Sequence, residues 1–293
     1  MYLLFDIGGT KMRLAFSRDG ERVEEPRVVP TPQNFDEAVR VFVNAGKELS
    51  LGAPIRAIAG GITGALDEER DMLLRAPHTE NWIGKSLKKE VEREFGVPAF
   101  FENDSAVCGL GEAIYGAGRG SKIMMYMTVS TGVGGARIVN GVIDPSHHGF
   151  EPGQQILDMP HSFRANTNPS GSLEGFVSGK ALQKRFNKKP KEVTDTNVWE
   201  ELAGELAFGL HNSIVHWTPD TVVLGGSMIT GDPAISVEKT QNYLRDILKV
   251  YHEVPLIKKA ELGDFGGIWG ALELARQKTN SSKKTFSFKK FFR

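Results

Sequence analysis

A glycine-rich hairpin pattern occurs twice in the sequence, at residues 2–20 and again at residues 124–143. Each copy contains an apolar strand, a pair of glycines, a returning apolar strand and then an Asp-Gly or Asn-Gly turn. One such hairpin is weak evidence, because glycine pairs occur in many turns. Two copies predict a duplicated α/β unit with a ligand cleft between the two halves.

The segments around the hairpins alternate between helix and strand patterns. Residues 35–50 place apolar side chains at helical spacing, directly after Asn34, which is a candidate N-cap. Residues 99–103 read as a strongly apolar strand, and another buried-type strand ends at Gly225 and Gly226. This alternation predicts an α/β protein.

Composition excludes several classes of function. Lys plus Arg and Asp plus Glu number 36 each, so no net field attracts nucleic acid or an anionic membrane. The single cysteine, Cys108, cannot form an intrachain disulfide or a cysteine-based zinc site. No apolar run reaches the ~18 residues of a bilayer span, and the N-terminus lacks a signal-peptide pattern. We therefore expect a cytoplasmic protein with no membrane span and no nucleic-acid partner.

Three glycine-rich turns, each at the C-terminal end of a strand, predict a nucleotide site. Glycine lets backbone N–H groups approach phosphate oxygens without a Cβ in the way. Asp6 closes the first strand, where a carboxylate holds Mg²⁺ directly or through water; the alternative is an Asx turn. Lys11 either contacts phosphate or is solvated. The candidate nucleotide-binding residues are Asp6, Gly8, Gly9, Thr10, Lys11, Thr131, Gly132, Gly225 and Gly226.

The apolar strand at residues 99–103 ends in Glu102, Asn103 and Asp104. Open α/β sheets bind ligands at this end of their strands, so Asp104 is a candidate to accept a proton from a hydroxyl that attacks a γ-phosphate. The alternative role for Asp104 is the N-cap of the helix that follows, and both roles are compatible.

Further polar side chains suit a sugar ligand. Glu151, Gln154 and Glu174 stand among apolar, glycine and proline residues. Carboxylates and amides bind sugar hydroxyls well, because each hydroxyl both donates and accepts a hydrogen bond. Taken singly, Glu151 and Glu174 also fit a helix-capping role.

These motifs, in this order, resemble the ROK family of sugar kinases within the actin/hexokinase-like ATPase superfamily. The matching segments are DIGGTK, ENDSAVCGLGE, STGVGGARIVNGVI, VVLGGS and FGGIWGALELA, within roughly residues 2 to 277. The resemblance implies two actin-like (ribonuclease H-like) α/β domains, namely residues 1–108 joined by a closing helix at about 266–278, and residues 109–265. It also implies a homodimer, and ATP- and Mg²⁺-dependent phosphorylation of a hexose.

The resemblance assigns roles to single residues. It makes Asp104 the general base and Asn103, Glu151 and Glu174 sugar ligands. Gly64, His78 and Gln154 complete the set of candidate sugar-binding residues.

The chain departs from the family pattern on the sugar side. Gln154 stands where the family often has a histidine that contacts sugar and zinc, and His78 stands where an asparagine is usual. Ala165, Thr167 and Ser172 occupy the positions of zinc-binding cysteines. We therefore expect ATP and Mg²⁺ but no zinc.

The leading hypothesis is an ATP-dependent hexokinase that converts glucose to glucose 6-phosphate. The alternatives are a kinase for fructose, mannose or an N-acetylhexosamine, and a binding protein without turnover, which Gln154 keeps open. A ROK repressor is disfavoured, because the first hairpin begins at residue 2 and leaves no room for a DNA-binding helix-turn-helix. Residues 280–293 mix Lys and Arg with Phe, which fits either a frayed tail or a docking segment for a membrane surface or partner.

Overall fold

The structure is a computed structural model that describes residues 1–76, 78–158 and 171–289. The chain divides into two compact units. The first comprises Met1–Gly111, Pro145–Gly149 and Asp264–Arg293, and the second comprises Glu112–Asp144 and Phe150–Gly263. Each unit contains a five-stranded sheet flanked by helices, which confirms the predicted α/β class.

The elements are numbered in chain order. The strands are β1 (Tyr2–Ile7), β2 (Lys11–Ser17), β3 (Arg27–Pro30), β4 (Ala57–Ile62), β5 (Ala65–Leu66), β6 (Leu73–Arg75), β7 (Ala99–Asn103), β8 (Ile123–Val129), β9 (Val133–Val139), β10 (Val142–Ile143), β11 (Thr221–Gly225) and β12 (Leu256–Lys259). The α-helices are α1 (Phe35–Ser50), α2 (Leu87–Phe95), α3 (Asp104–Ile114), α4 (Leu173–Val177), α5 (Gly179–Phe186), α6 (Thr196–Trp217), α7 (Ser227–Thr230), α8 (Val237–Ile247) and α9 (Gly266–Lys289).

The sheet of the first unit has the strand order β3-β2-β1-β4-β7. β1 is antiparallel to β2 and parallel to β4, which in turn is parallel to β7. The consecutive side chains of Leu3, Leu4 and Phe5 are all fully buried, so β1 is covered on both faces. Because β1, β4 and β7 run in one direction, their C-terminal ends meet at one edge of the sheet, which is where this unit gathers its polar residues.

Local sequence signals set the ends of the helices in this unit. Asn34 is the N-cap of α1, and its side chain accepts a hydrogen bond from the backbone N–H of Glu37 at 3.0 Å. α2 ends at Gly96, which has the left-handed φ of 66° that favours glycine. Phe42 of α1 packs edge-on against Phe5, with ring centroids 5.4 Å apart, and so fixes the helix on the sheet.

The last helix is longer than the resemblance implied. α9 runs from Gly266 to Lys289 and so continues beyond residue 278 into the basic, phenylalanine-rich segment. Residues 290–293 of that segment lie outside the described residues. Within the part of the chain that the structure describes, no helix combines the length and apolar character that a membrane span requires.

The second unit has the strand order β10-β9-β8-β11-β12. The hairpin partners β8 and β9 are antiparallel, and β11 is parallel to both β8 and β12. α6 supplies much of the core through side chains at helical spacing, such as the fully buried Leu202, Leu206 and Leu210. Glu112 is buried and accepts backbone hydrogen bonds from Ala117, Glu261 and Leu262, so its carboxylate joins two distant loops.

The Glu205 carboxyl on α6 has a raised pKa in the folded protein. Burial, followed by the charge of Glu201, raises the pKa of Glu205 to about 7, and Arg185 opposes the shift. Its buried Oε2 has no hydrogen-bond partner among the described residues. Since the ordinary pKa of this group is 4.5, ionisation of Glu205 destabilises the folded state progressively as the pH rises from about 4.5 through about 7.

We expect Glu205→Gln to raise the free energy of unfolding at pH 8 by about 1–2 kcal/mol, a value discounted for partial exposure. The gain should fade as the pH falls below about 5, where the wild-type carboxyl is protonated in both states. Urea unfolding at both pH values measures it. Glu25→Gln, at an exposed position, is the control and should show no such trend. An equal effect of Glu205→Gln at the two pH values would contradict the assignment.

Candidate active site

The first unit brings several predicted residues to one sheet edge. Asp6 lies near the end of β1, Gly64 follows β4, and Asn103 ends β7. The side-chain amide of Asn103 donates to the carbonyl of Gly64 at 3.1 Å, and the N–H of Thr63 donates to the carbonyl of Ile7 at 2.9 Å. These bonds join the ends of the three parallel strands, so the edge presents a fixed set of polar groups.

The first glycine-rich turn connects β1 and β2. The N–H of Gly8 donates to the carbonyl of Lys11 at 2.9 Å, and the hydroxyl of Thr31 donates to the carbonyl of Gly8 at 2.8 Å. Thr10 and Lys11 are exposed. Thr31, which was not predicted from the sequence, therefore stabilises the turn through its hydrogen bond to Gly8. The exposed residues Thr10 and Lys11 remain accessible to a ligand.

His78 lies against this first turn. A Cβ built on Gly9 would be 2.3 Å from the Cβ of His78, which is much shorter than any contact between non-bonded carbon atoms. Glycine at position 9 thus makes room for His78, which is itself exposed. Its contact with sugar stays a prediction, and the structure adds a neighbour, Gly9 of the first glycine-rich turn.

Asp104 is the first residue of α3, and the N-cap is Asn103 rather than Asp104. The Asn103 Oδ1 accepts from the N–H groups of Ser105 at 3.0 Å and Ala106 at 3.2 Å. The Asp104 Oδ1 also accepts from the Ser105 N–H, at 2.8 Å. The capping role that was the alternative for Asp104 therefore belongs to Asn103, so α3 does not depend on the Asp104 carboxylate for its N-cap.

The pKa values of Asp6 and Asp104 are both raised, and the charge of Asp104 contributes to the shift of Asp6. Burial, followed by the charge of Asp104, raises the pKa of Asp6 to about 6, and Arg13 opposes this shift. Burial also raises the pKa of Asp104, against hydrogen bonds from Ser105 and the Thr63 side chain that lower it. Two partly buried carboxylates with raised pKa values are the type of arrangement found at functional sites.

Arg13 is the residue of this group that the sequence analysis missed. Its Nη1 lies 3.4 Å from the Asp6 Oδ2, and its Nη2 lies 3.5 Å from the Oδ2 of Asp264, which is largely exposed. The signal was present in the hairpin, because the register of β1 with β2 pairs Asp6 directly with Arg13. At this distance Arg13 only partly offsets the effects that raise the pKa of Asp6.

A magnesium ion fits this group of residues. No set of three or more His, Cys, Asp or Glu side chains among the described residues could hold a metal alone. Protein-bound Mg²⁺ commonly relies instead on one or two carboxylates together with substrate phosphates. Asp6, whose pKa is raised first by burial and then by the charge of Asp104, is the residue whose carboxylate such an ion would stabilise.

The second glycine-rich turn lies in the other unit, between β8 and β9. The carbonyl of Ser130 accepts from the N–H of Gly179 at 2.7 Å, and that of Thr131 accepts from Lys180 at 3.3 Å. Gly225 pairs with Thr128 in the parallel register of β8 with β11. The third glycine-rich turn, at Gly225 and Gly226, therefore lies beside the second at the same edge of this sheet.

Glu174 and Gln154 are joined in this unit. The Glu174 Oε2 accepts from the backbone N–H of Val133 at 2.9 Å, and its Oε1 accepts from the Gln154 Nε2 at 3.4 Å. Glu151 is exposed one residue before the short 3-10 helix Pro152–Gln154. The structure thus brings Gln154 and Glu174 together beside the second turn, a contact that the sequence analysis did not anticipate.

The positions aligned with zinc-binding cysteines are only partly described. Ser172 is the N-cap of α4, and its hydroxyl accepts from the N–H of Gly175 at 3.2 Å. Ala165 and Thr167 lie outside the described residues. The expectation of no zinc stays a prediction.

Comparison with known proteins decides the family. The pattern that defines the ROK family matches residues 2–278. The chain belongs to the ROK family. The resemblance deduced from the sequence motifs is thereby confirmed. A glucokinase of Streptomyces coelicolor is 25% identical to this ROK protein over 307 aligned positions, which cover 93% of this chain and 96% of that enzyme.

Solved structures of ROK proteins have the same fold. The ROK hexokinase of Thermus thermophilus matches with a TM-score of 0.81 and 26% identity, covering 96% of this chain and 99% of its own. A ROK glucokinase from Streptomyces griseus, solved in complex with glucose and AMPPNP, matches with a TM-score of 0.74 and 25% identity over 94% and 99% of the two chains. This ROK protein is an ATP-dependent sugar kinase.

Proposed function

We propose that this ROK kinase is a hexokinase that transfers the γ-phosphoryl group of ATP to the 6-hydroxyl of glucose. The observation that supports it most directly is the pair of partly buried carboxylates, Asp6 and Asp104, at the sheet edge that also carries the glycine turn after β1. Phosphoryl transfer needs a phosphate-binding turn, a carboxylate for the metal and a base for the attacking hydroxyl. One edge of the first unit carries a candidate for each of these three roles.

Asp104 is the proposed general base. As the sugar hydroxyl attacks the γ-phosphorus, its proton passes to the carboxylate of Asp104, while the bond from phosphorus to the β,γ-bridging oxygen breaks and ADP leaves. Burial raises the pKa of Asp104, which strengthens it as a proton acceptor. Asn103 is held by its hydrogen bonds to Gly64 and the start of α3, so its amide is fixed for contact with the sugar.

The phosphates are assigned to the glycine-rich turns. Backbone N–H groups of Gly9 and Thr10, with the Lys11 ammonium, suit phosphate oxygens in the first unit, where Gly8 shapes the turn through its bond to the Lys11 carbonyl. Thr131 and Gly132 suit phosphate oxygens in the second unit. Gly225 and Gly226 are assigned to the adenosine. Asp6 would hold the Mg²⁺ that accompanies ATP; when bound, this ion neutralises charge on the phosphates.

The sugar ligands are carried over from the family motifs. They are Asn103 and Asp104 in the first unit and Glu151, Gln154 and Glu174 in the second, with Gly64 and His78 as further candidates. Glucose is proposed first because the glucokinases of two Streptomyces species resemble this chain along nearly its whole length. Gln154 and His78 are the positions at which this chain departs from the usual pattern, so they are where preference among hexoses is expected to differ.

A panel assay tests the proposal. ADP release coupled to NADH oxidation is measured with glucose, fructose, mannose and N-acetylglucosamine, each with and without Mg²⁺. We expect glucose to give the highest kcat/KM and turnover to require Mg²⁺. A higher kcat/KM for another hexose would overturn the choice of glucose. No turnover on any sugar, together with sugar-induced thermal stabilisation, would show a binding protein instead.

A further inference from the structure

Both oxygens of Glu174 are engaged within the second unit. The Oε2 accepts from the N–H of Val133, the first residue of β9, at 2.9 Å. The Oε1 accepts the longer bond from the Gln154 amide, at 3.4 Å. Glu174 therefore connects the end of the second glycine-rich turn to the residue that stands in place of the family's sugar- and zinc-binding histidine.

Gly132 shows how closely the turn lies on this carboxylate. A Cβ built on Gly132 would lie 2.7 Å from the Glu174 Oε2, and 3.5 Å from its Cδ. Apart from chain neighbours, these are the only atoms of the described residues within 4 Å of that position. The φ of Gly132 is not positive, so its backbone conformation accepts other residues, but a side chain there would have to displace the Glu174 carboxylate.

The helix that carries Glu174 is itself fixed. Leu173 is fully buried, and its N–H donates to the carbonyl of Gln155 at 3.0 Å. The Ser172 side chain caps the helix. Because the backbone of Glu174 is anchored, its carboxylate can move only by side-chain rotation. Such a movement changes the hydrogen bond to Val133 at the end of the second glycine-rich turn.

We propose that Glu174 couples sugar binding to nucleotide binding, with Gln154 holding its carboxylate in the linking position. This inference rests on the proposed function, in which Glu174 binds the sugar and Thr131 and Gly132 bind phosphate. A sugar hydroxyl that donates to the Oε1 restrains the carboxylate, so the Oε2 stays on Val133 and the turn is ordered before the nucleotide binds. Each ligand then raises the affinity for the other by the same factor.

Isothermal titration with Mg²⁺ and AMP-PNP, with and without saturating glucose, measures the coupling. We expect glucose to raise the affinity of the wild-type protein for the nucleotide by at least ~5-fold. Gln154→Leu, which removes the amide donor, should reduce this factor to ~2-fold or less. An unchanged factor in Gln154→Leu would overturn the role of Gln154.

A second experiment needs no sugar. Gly132→Ala should weaken AMP-PNP binding by ~3–10-fold, because the new methyl group displaces the carboxylate from Val133. In a Glu174→Ala background the same change should cost under ~2-fold, since the colliding atoms are gone. Gly204→Ala, at a glycine of α6 with no atom within 4 Å of its Cβ position, is the matched control. Equal losses in both backgrounds would overturn the link through Glu174.

The two experiments separate this inference from the proposed function. Should the hexose panel give no turnover, the proposed reaction fails, whereas the Gly132 and Glu174 cycle still reports on the link to the turn. Should glucose be phosphorylated without any coupling in the wild-type protein, the reaction stands and the coupling is refuted. Thermal unfolding of every variant verifies that the second unit is intact.

Discussion

Asp104→Asn is expected to lower kcat for glucose by at least ~10²-fold. Asparagine keeps the size of the side chain and still accepts the hydrogen bond that the Ser105 N–H donates at 2.8 Å, but it cannot take the proton of the attacking hydroxyl. The fold should survive, because α3 is capped by Asn103 and not by Asp104. Steady-state kinetics with the coupled assay, alongside AMP-PNP titration, measures the change.

The matched control is Asp195→Asn. Asp195 caps α6 in the second unit, where its side chain accepts from the N–H of Asn197 at 3.0 Å, and asparagine caps a helix equally well. The Asp195→Asn substitution removes one carboxylate at the start of a helix that is far along the chain from the proposed base. Its turnover should stay within ~2-fold of wild type. Near-normal turnover in Asp104→Asn would rule out Asp104 as the base, whatever its place in the fold.

Much of the fold could be predicted because the signals are local. The N-cap at Asn34 and the end of α2 at Gly96 follow from side-chain and backbone chemistry within a few residues. The bounds of β1 and β2 follow from the apolar runs that flank the glycine turn. The two strands of the hairpin predicted within residues 2–20 are found at Tyr2–Ile7 and Lys11–Ser17, since the turn and the hydrophobic pattern agree.

The contacts within the candidate site were less predictable. Arg13 opposes Asp6 only once the hairpin register is known, and Gln154 reaches Glu174 across 20 positions of sequence. Asp104 was one candidate for the N-cap of α3. The helix starts one residue earlier than that role requires, at Asp104 itself, so the N-cap is Asn103. Each depends on side-chain direction or exact helix ends, which composition and periodicity do not determine.

His78 illustrates the limit of reasoning by resemblance. Its position in the motif placed it among the sugar ligands, and that role is untested. Its packing against Gly9 follows from the three-dimensional approach of two loops, about which a motif comparison carries no information. A position can therefore match a family segment and still have a neighbour that the motif does not reveal.

Gly270→Ala is expected to lower the free energy of unfolding by about 3 kcal/mol or more, at the upper end of the cost of overpacking. A Cβ at Gly270 would lie 1.7 Å from the carbonyl oxygen of Val107 and 3.0 Å from the N of Gly111, both in α3. These are backbone atoms, so no side chain can rotate away to relieve the collision. Urea unfolding followed by circular dichroism measures the loss.

The same substitution should also impair turnover, because the two helices that it forces apart both begin at the candidate site. α3 starts at Asp104, and a Cβ at Gly267 in the first turn of α9 would lie 2.7 Å from the Cγ of Asp6. Gly204→Ala is the control for the chemical change alone: a helical glycine with open space around it should gain about 0.5–1 kcal/mol as alanine. If the free energy of unfolding of Gly270→Ala lies within about 0.5 kcal/mol of the wild-type value, α3 and α9 do not cross as closely as described. The explanation of how Asp6 and Asp104 are brought to one edge would then also be wrong.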